Sequence, residues 1–553
     1  MTKILLKMKS VQLRVLLLLS YFTGLVFGDW QYRSRPDLAP PKLNITILPD
    51  QDVSPGYLFL APFSGYADID TFHGPRQAAP YIYSSDGELV WSGFSYFSIW
   101  ATNFQAGKVN GEEVLFSFEG SHNPRYGHGH GHITFLNQNY ETVKELRAGN
   151  HKIIDKHEFH IINETTGLVQ IYQPVPKNLT PYGASPEQQW IVDAIFQELD
   201  INTGEVLFEW SSLEHISPDE SVLSISQGQA GSGYNSSDAW DYFHINSVDK
   251  DENGDYLLSA RDAASLYKID GNTGEVIWKL GGLPGITSSD FKADNNLTFS
   301  FQHHARYLST SEDGTKQLIS FYDNSAHGSE NKNGRVVKYN DHSSGKVIEV
   351  DTKNWNAKLL FNGISPDNLL SKSQGSTQVL PNGNVFVNWG SEGAVTEFKG
   401  DKPIFNAFVD SGELGLRAEN YRAFKSNWTG KPNEKIALLS EFTDNGSTNI
   451  YVSWNGDTET KKWKFYSVER NGSKRFIGET SRKGFESVKT FDRKYERVLV
   501  EAYNSDEVLL ATSNPVYTEA QVLQVEHVKQ DSTCRNVYQA YFDIAARLKS
   551  IVS

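Results

Sequence analysis

Between Trp240 and Gly282 the chain carries four short apolar runs, His244 to Val248, Tyr256 to Ala260, Leu266 to Ile269 and Glu275 to Leu280. Polar stretches separate them, reading DENGD, ARDAAS and DGNTG. Runs this short, rich in Val, Ile, Tyr and Trp and bounded by Asp, Asn and Gly, predict antiparallel strands joined by tight turns. Four such strands make one propeller blade. The same grammar recurs in DGELVWSG from Asp86, NTGEVLFEW from Asn202, SGKVIEV from Ser344 and PNGNVFVNWG from Pro381. Self-similarity at roughly 45 to 60 residues predicts an array of these units closed on itself.

The expected fold is therefore all-β, a six-bladed β-propeller over about 55–440 followed by a second β domain. The blades are expected to begin near Gly56, Ile99, His157, His244, His303 and Gln374 and to end near Phe408. Residues 29–54 are Pro-rich and polar and read as a leader against the outside of the first blade. After Tyr421 the segments NIYVSWNGDTETKKWKFYSVE, GFESVKTF and RVLVEAYNSDEVLLATSNPVY predict a fibronectin type III-like sandwich over 445–519, with Trp454 and Trp463 as core anchors. From Ala520 to Ser553, Val537, Tyr541, Ile544, Leu548 and Ile551 form a helical stripe.

Charge and targeting signals change this picture in three ways. Lys3, Lys7, Lys9 and Arg14 precede an apolar run from Val15 to Phe27, the pattern of a secretory signal peptide cleaved near Gly28; the run is short for a stable membrane span. Glycosylation sequons at Asn44, Asn163, Asn178, Asn235, Asn296, Asn427, Asn445 and Asn471 fit an N-glycosylated protein, secreted or vesicular. The single cysteine, Cys534, leaves such a protein to be held by its core alone. A net charge of −15 without a basic block argues against nucleic acid as a partner. No feature predicts the oligomeric state.

Candidate chemistry emerges when the blades are aligned on their first turn glycine. His157 lies ten residues before Gly167, His244 ten before Gly254 and His303 eleven before Gly314. All three are thus expected at the start of the inner strand of successive blades, converging on the central channel. Imidazoles there can act as acids, bases or nucleophiles. Arg261 and Arg306 follow two of them and suit an anionic or enolic oxygen. Tyr126, Trp240, Tyr242, Phe243, Phe301 and Tyr307 flank the histidines and are expected to wall an aromatic pocket. In GHGHGH, His128, His130 and His132 alternate along a strand, about 7 Å apart on one face. Such neighbours converge poorly on an ion, so no metal is assigned, and His132 is expected at the channel. Residues Gln227 to Ala239 read as a Gly- and Ser-rich loop without a phosphate-binding helix. No P-loop, HExxH, nucleophile elbow or cysteine nucleophile is present.

The segments WDYFHINSVDKDENGDYLLSAR, GEVIWKLGG, FSFQHHAR, SFYDN and QVLPNGNVFVNWG resemble the arylsulfotransferase-like family of fungal and bacterial six-bladed propellers, from about Gly56 to Val516. The resemblance places the family's DxxHxNS and QHDA motifs on Asp241, His244, Asn246, Gln302 and His303. It departs where the usual Arg-His pair is Arg261-Asp262 and where His304 replaces an acidic residue. In bacterial members an aryl sulfate passes its sulfuryl group to a histidine and then to a phenol. The fungal branch also resembles hetero-Diels–Alderases that join a tropolone-type quinone methide to a terpene. That reaction, needing no cofactor, is the leading expectation, with aromatic and terpenoid small molecules as substrates. Aryl sulfotransfer and a non-catalytic binding propeller are the alternatives.

Overall fold

The computed structural model describes residues 29–64, 74–97, 100–123, 127–294, 296–328, 336–411 and 416–520. The signal-peptide segment, Tyr126 and all five residues of the helical stripe lie outside these residues.

The chain is all-β, and its sheets follow the blade grammar. The fourth blade consists of Ile245–Lys250, Tyr256–Ala260, Ser265–Ile269 and Val276–Gly281, paired in that order and antiparallel. Glycines in the left-handed region make its turns: Gly254 at φ +92° and Gly274 at φ +78°, where a side chain would be strained. Four-stranded sheets open at Trp100, Phe159, His303 and Ser376 for the second, third, fifth and sixth blades, the last two gaining extra outer strands.

Two features of ring closure differ from expectation. The innermost strand of the first blade is Phe424–Ser426, which pairs with Tyr57–Leu60 and so joins the end of the propeller to its beginning. The leader strand Lys42–Ile47 pairs with Lys402–Ser411 on the outer edge of the sixth blade, while leader residues Tyr32, Leu38 and Leu43 share a buried cluster with Leu58, Tyr81, Tyr83 and Leu89 of the first. Both are pairings of residues more than 350 positions apart, which local pattern does not encode. Neighbouring blades pack around the ring, and the circle closes where Val385–Asn388 meets Phe424–Ser426.

The second domain has two sheets. One orders Glu486–Phe491, Thr448–Ser453 and Ala437–Phe442; the other orders Lys474–Ser481, Lys462–Val468, Arg497–Tyr503 and Leu509–Thr512. Trp454 and Trp463 are buried in its core. The two-residue strands Glu519–Ala520 and Val516–Tyr517 add to the first and second sheets, giving a four-plus-five-stranded sandwich that is fibronectin type III-like. Among the described residues no helix is long and apolar enough to cross a membrane.

A buried ionic network fills the middle of the channel. Glu158, at the start of the third blade, accepts two hydrogen bonds from Arg306 Nη2, at 2.9 and 2.8 Å, and one from Arg422 Nη1 at 3.0 Å. Backbone N–H of Val248, in the fourth blade, donates to it at 3.0 Å. Arg422 also donates to the carbonyl of Asn246 at 2.5 Å. Burial alone would raise the Glu158 carboxyl, but the two guanidiniums offset this and hold it below the usual range. A carboxylate with a depressed value stabilises the fold above its unfolded value and loses that contribution as pH falls through the folded one. Glu158→Gln, which breaks a buried pair from one side, is expected to lower unfolding free energy by about 3–5 kcal/mol at neutral pH. In urea titrations followed by tryptophan fluorescence, the gap between variant and wild type should narrow as pH falls below about 4.

Candidate functional site

Above this network, at the strand-entry end of the channel, lies a cavity of about 70 Å³. Its wall includes His128, Lys156, His157, Asp241, His244, Arg261, Asp262, His303, His327, Gln374 and Tyr421. His157, His244 and His303 thus share one cavity. The His157 and His244 rings lie 4.9 Å apart, and Tyr421 stands between His157 and His303, at 5.4 and 6.3 Å.

Each ring is held by the same nitrogen. His157 Nδ1 bonds Asp155, whose Oδ1 also accepts the His157 backbone N–H at 2.9 Å. His244 Nδ1 lies 2.5 Å from Asp241 Oδ2, while Asp241 Oδ1 takes the His244 N–H at 3.1 Å. These short D-x-H and D-x-x-H loops close on themselves, which accounts for His244 sitting at φ +53°. His303 Nδ1 instead faces Asn324 Oδ1 at 2.7 Å and the Phe301 carbonyl at 3.1 Å, and its Nε2 accepts only a long bond, 3.3 Å, from the Gln374 N–H. All three are therefore anchored at Nδ1 and leave Nε2 for chemistry.

Electrostatics sort these groups. Burial, reinforced by Arg261, pushes His303 well below the ordinary imidazole value, and burial with the charges of His244 and Lys156 does the same to His157. Burial opposes protonation of His128, but its bond to Asp241 wins and raises it. The Asp241 carboxyl would be raised by burial, yet the His244 charge and the His128 bond drive it well below the carboxylate range. Burial raises Asp262 despite Arg261. Arg261 donates to Asp262 at 3.2 Å and to the Lys372 carbonyl at 3.1 Å, and its Nε is buried without a partner. Among the described residues, those able to hold a metal ion are His128, Asp241 and His244.

Several residues expected at the site lie elsewhere. Arg306 belongs to the Glu158 network: three residues along a strand carry it ~10 Å from the His303 level. His132 faces Glu119 and Glu145 at 3.8 and 3.9 Å, and His128, just before the strand, takes the place expected for it. Trp240, Tyr242 and Phe243 are buried in the core between the third and fourth blades, with Trp240 Nε1 donating to the Leu223 carbonyl and Tyr242 to that of Ile216. Phe301 is buried behind the wall, 5.2 Å from His327. Asn246 donates to the Gln302 carbonyl, and Gln302 donates to the carbonyls of Ala260 and Ser265, so both stitch blades together. Tyr307, with His304, lines the opposite and wider mouth, a cavity of about 910 Å³. Trp240, Tyr242, Phe243 and Phe301 are thus core or backing rather than wall, and among the described residues the tyrosine of the cavity is Tyr421. Lys156, Asp155, His327, Asn324, Gln374 and Tyr421 were not anticipated. Lys156 and Asp155 carried a signal as neighbours of His157, Asn324 as part of the SFYDN segment and Gln374 as the start of the sixth blade.

The family described as arylsulfotransferase (ASST) matches residues 105–408, more than half of the chain and every blade but the first. The chain belongs to the arylsulfotransferase family. No curated protein matches it. Among solved structures it is similar to a Bacteroides caccae protein of unknown function, at 12% identity and TM-score 0.33, covering 67% of this chain and 98% of that one. It is also similar to Kuenenia stuttgartiensis hydrazine synthase, at 12% identity and TM-score 0.31, covering 62% and 78%. These likenesses are too distant to inform the site. Family membership makes the chain transferase-like, and the cavity is where its chemistry is best sought.

Because the Arg261 guanidinium helps to hold His303 neutral, Arg261→Ala is expected to raise the pH at which His303 protonates. Nitrogen NMR of histidine-labelled protein, assigned by comparison with His303→Gln, checks this; an unchanged or lowered midpoint contradicts it.

Proposed function

We propose that the chain transfers a sulfuryl group from an aryl sulfate to a phenolic acceptor through His303. One observation carries the reading. His303 is a buried, neutral imidazole locked at Nδ1 by an amide and a carbonyl, so that Nε2 meets a small cavity beside the Arg261 guanidinium. The enclosed volume suits a tetrahedral oxyanion, with the aryl part held at the mouth. Arg261 and Lys156 neutralise the sulfuryl oxygens. The Nε2 lone pair attacks sulfur, the sulfur–oxygen bond to the aryl group breaks, and the aryl oxygen leaves as a phenolate that takes its proton from solvent water. The acceptor phenol then attacks sulfur; the nitrogen–sulfur bond breaks and the phenol proton passes to solvent water.

The cyclisation reading needs an apolar chamber for two oily partners. The described wall is charged, so sulfuryl transfer ranks ahead of it. We further propose that the protein is exported and N-glycosylated, since all eight sequon asparagines are exposed. Glycosidase treatment of secreted protein should increase its mobility.

Incubation with a chromogenic aryl sulfate and a phenol should release the chromophore, and mass spectrometry of acid-sparing digests should find the sulfuryl group on His303. His303→Gln should lower turnover by more than about 10³-fold, because a covalent step has no bypass. Arg261→Gln should cost about 10²-fold to 10³-fold, as for a lost oxyanion donor. Wild-type-like turnover by His303→Gln, or an adduct on another residue, would refute the assignment.

A further inference from the structure

We propose that His128, Asp241 and His244 bind a divalent transition-metal ion of the zinc class, with an open coordination position facing the cavity. One ligand atom from each residue falls in a group whose members all lie within 4.8 Å of one another. Asp241 Oδ2 is 2.9 Å from His128 Nε2 and 2.5 Å from His244 Nδ1. Ligands at about 2.0–2.1 Å from a tetrahedral ion stand roughly 3.3 Å apart, so the two edges to Asp241 need to open by under ~1 Å and the edge between the imidazoles, within 4.8 Å, to close by no more than ~1.5 Å.

The charge on Asp241 asks for such an ion. Its carboxylate is 4% exposed, and its ion partners among the described residues are the two imidazoles, with no lysine or arginine. A buried carboxylate requires a positive counterpart. Here that is either a proton shared with the rings or a metal ion in the same place.

The donors are also pre-positioned. His128 comes from the second blade and the other two from the entry to the fourth, so the site depends on the folded propeller. The His128 ring stacks on Tyr172 with centroids 4.2 Å apart. Asp241 Oδ1 is occupied by the His244 backbone N–H, which turns Oδ2 toward both rings. Two imidazoles and one carboxylate favour zinc and its neighbours over calcium or magnesium, which prefer all-oxygen shells. Three protein ligands leave a fourth position, as in catalytic zinc sites, where an anionic oxygen of a small substrate can bind. This inference does not rest on the sulfuryl-transfer reading.

The full secreted chain, stripped with a chelator, is titrated with Co²⁺ and followed by the visible bands of four- or five-coordinate cobalt, then competed with Zn²⁺. One ion per chain is expected, with affinity at least about a hundredfold weaker in His128→Gln and in Asp241→Asn. His130→Gln, at an exposed neighbour outside the cavity, should bind as wild type does. Circular dichroism confirms that each variant is folded. Should one not fold, the wild-type titration decides alone: weak six-coordinate absorption, or none, overturns the site. Binding retained in either folded variant overturns it as well.

Discussion

The Glu158 carboxylate is the constraint on which the ring depends. It lies at the entry to the third blade, yet it binds guanidiniums from the fifth blade and from the segment that closes the first. Arg422 is two residues before Phe424–Ser426, the strand that joins end to beginning. A charge buried on the propeller axis is tolerable only if every partner arrives, so the network rewards the closed ring and penalises any opened one. The same residues adjoin the cavity wall along the chain. Glu158 follows His157, Arg422 follows Tyr421, and Asn246 lies two beyond His244, so strand geometry fixes catalytic candidates and ionic plug relative to each other.

This coupling explains why the two channel mouths differ. The strand-entry mouth is narrow because loops ending in His157, His244 and His303 turn inward and are tied to Asp155, Asp241 and Asn324. The opposite mouth carries outward-turning hairpins and pairs such as His160 with Asp249 at 3.2 Å, and it remains wide. With the plug between them, matter reaching the histidines must enter from the narrow side.

Much of the blade architecture was legible because each blade repeats a local code, a glycine turn followed by alternating apolar residues. The strand limits expected for the fourth blade differ from those observed by one or two residues. The histidine ring was legible for the same reason, since equivalent register implies equivalent place. What escaped the sequence was non-local. Asn324 reaches His303 across 21 residues, Tyr421 reaches His157 across 264, and His128 meets Asp241 across 113. The aromatic cluster at Trp240, Tyr242 and Phe243 misled because a buried aromatic run reads alike whether it lines a pocket or fills the space between sheets. Arg306 misled because proximity in sequence to His303 concealed a rise along the strand that takes its guanidinium to Glu158.

The three rings share an anchoring atom but not an anchor, and the difference bears on their roles. A carboxylate at Nδ1, as for His157 and His244, fixes the orientation of the ring, and at His157 burial with the charges of His244 and Lys156 still holds the imidazole well below its ordinary value. An amide and a carbonyl at Nδ1, as for His303, orient the ring without cancelling positive charge. In sulfuryl transfer the intermediate is an N-sulfonated imidazolium, and a carboxylate beside it would stabilise the intermediate and slow its breakdown. Held by Asn324, the ring keeps that charge uncompensated on its own side and so remains a strong donor to the next acceptor. On the proposed sulfuryl transfer, the neutral anchor therefore suits the ring that gives the group away.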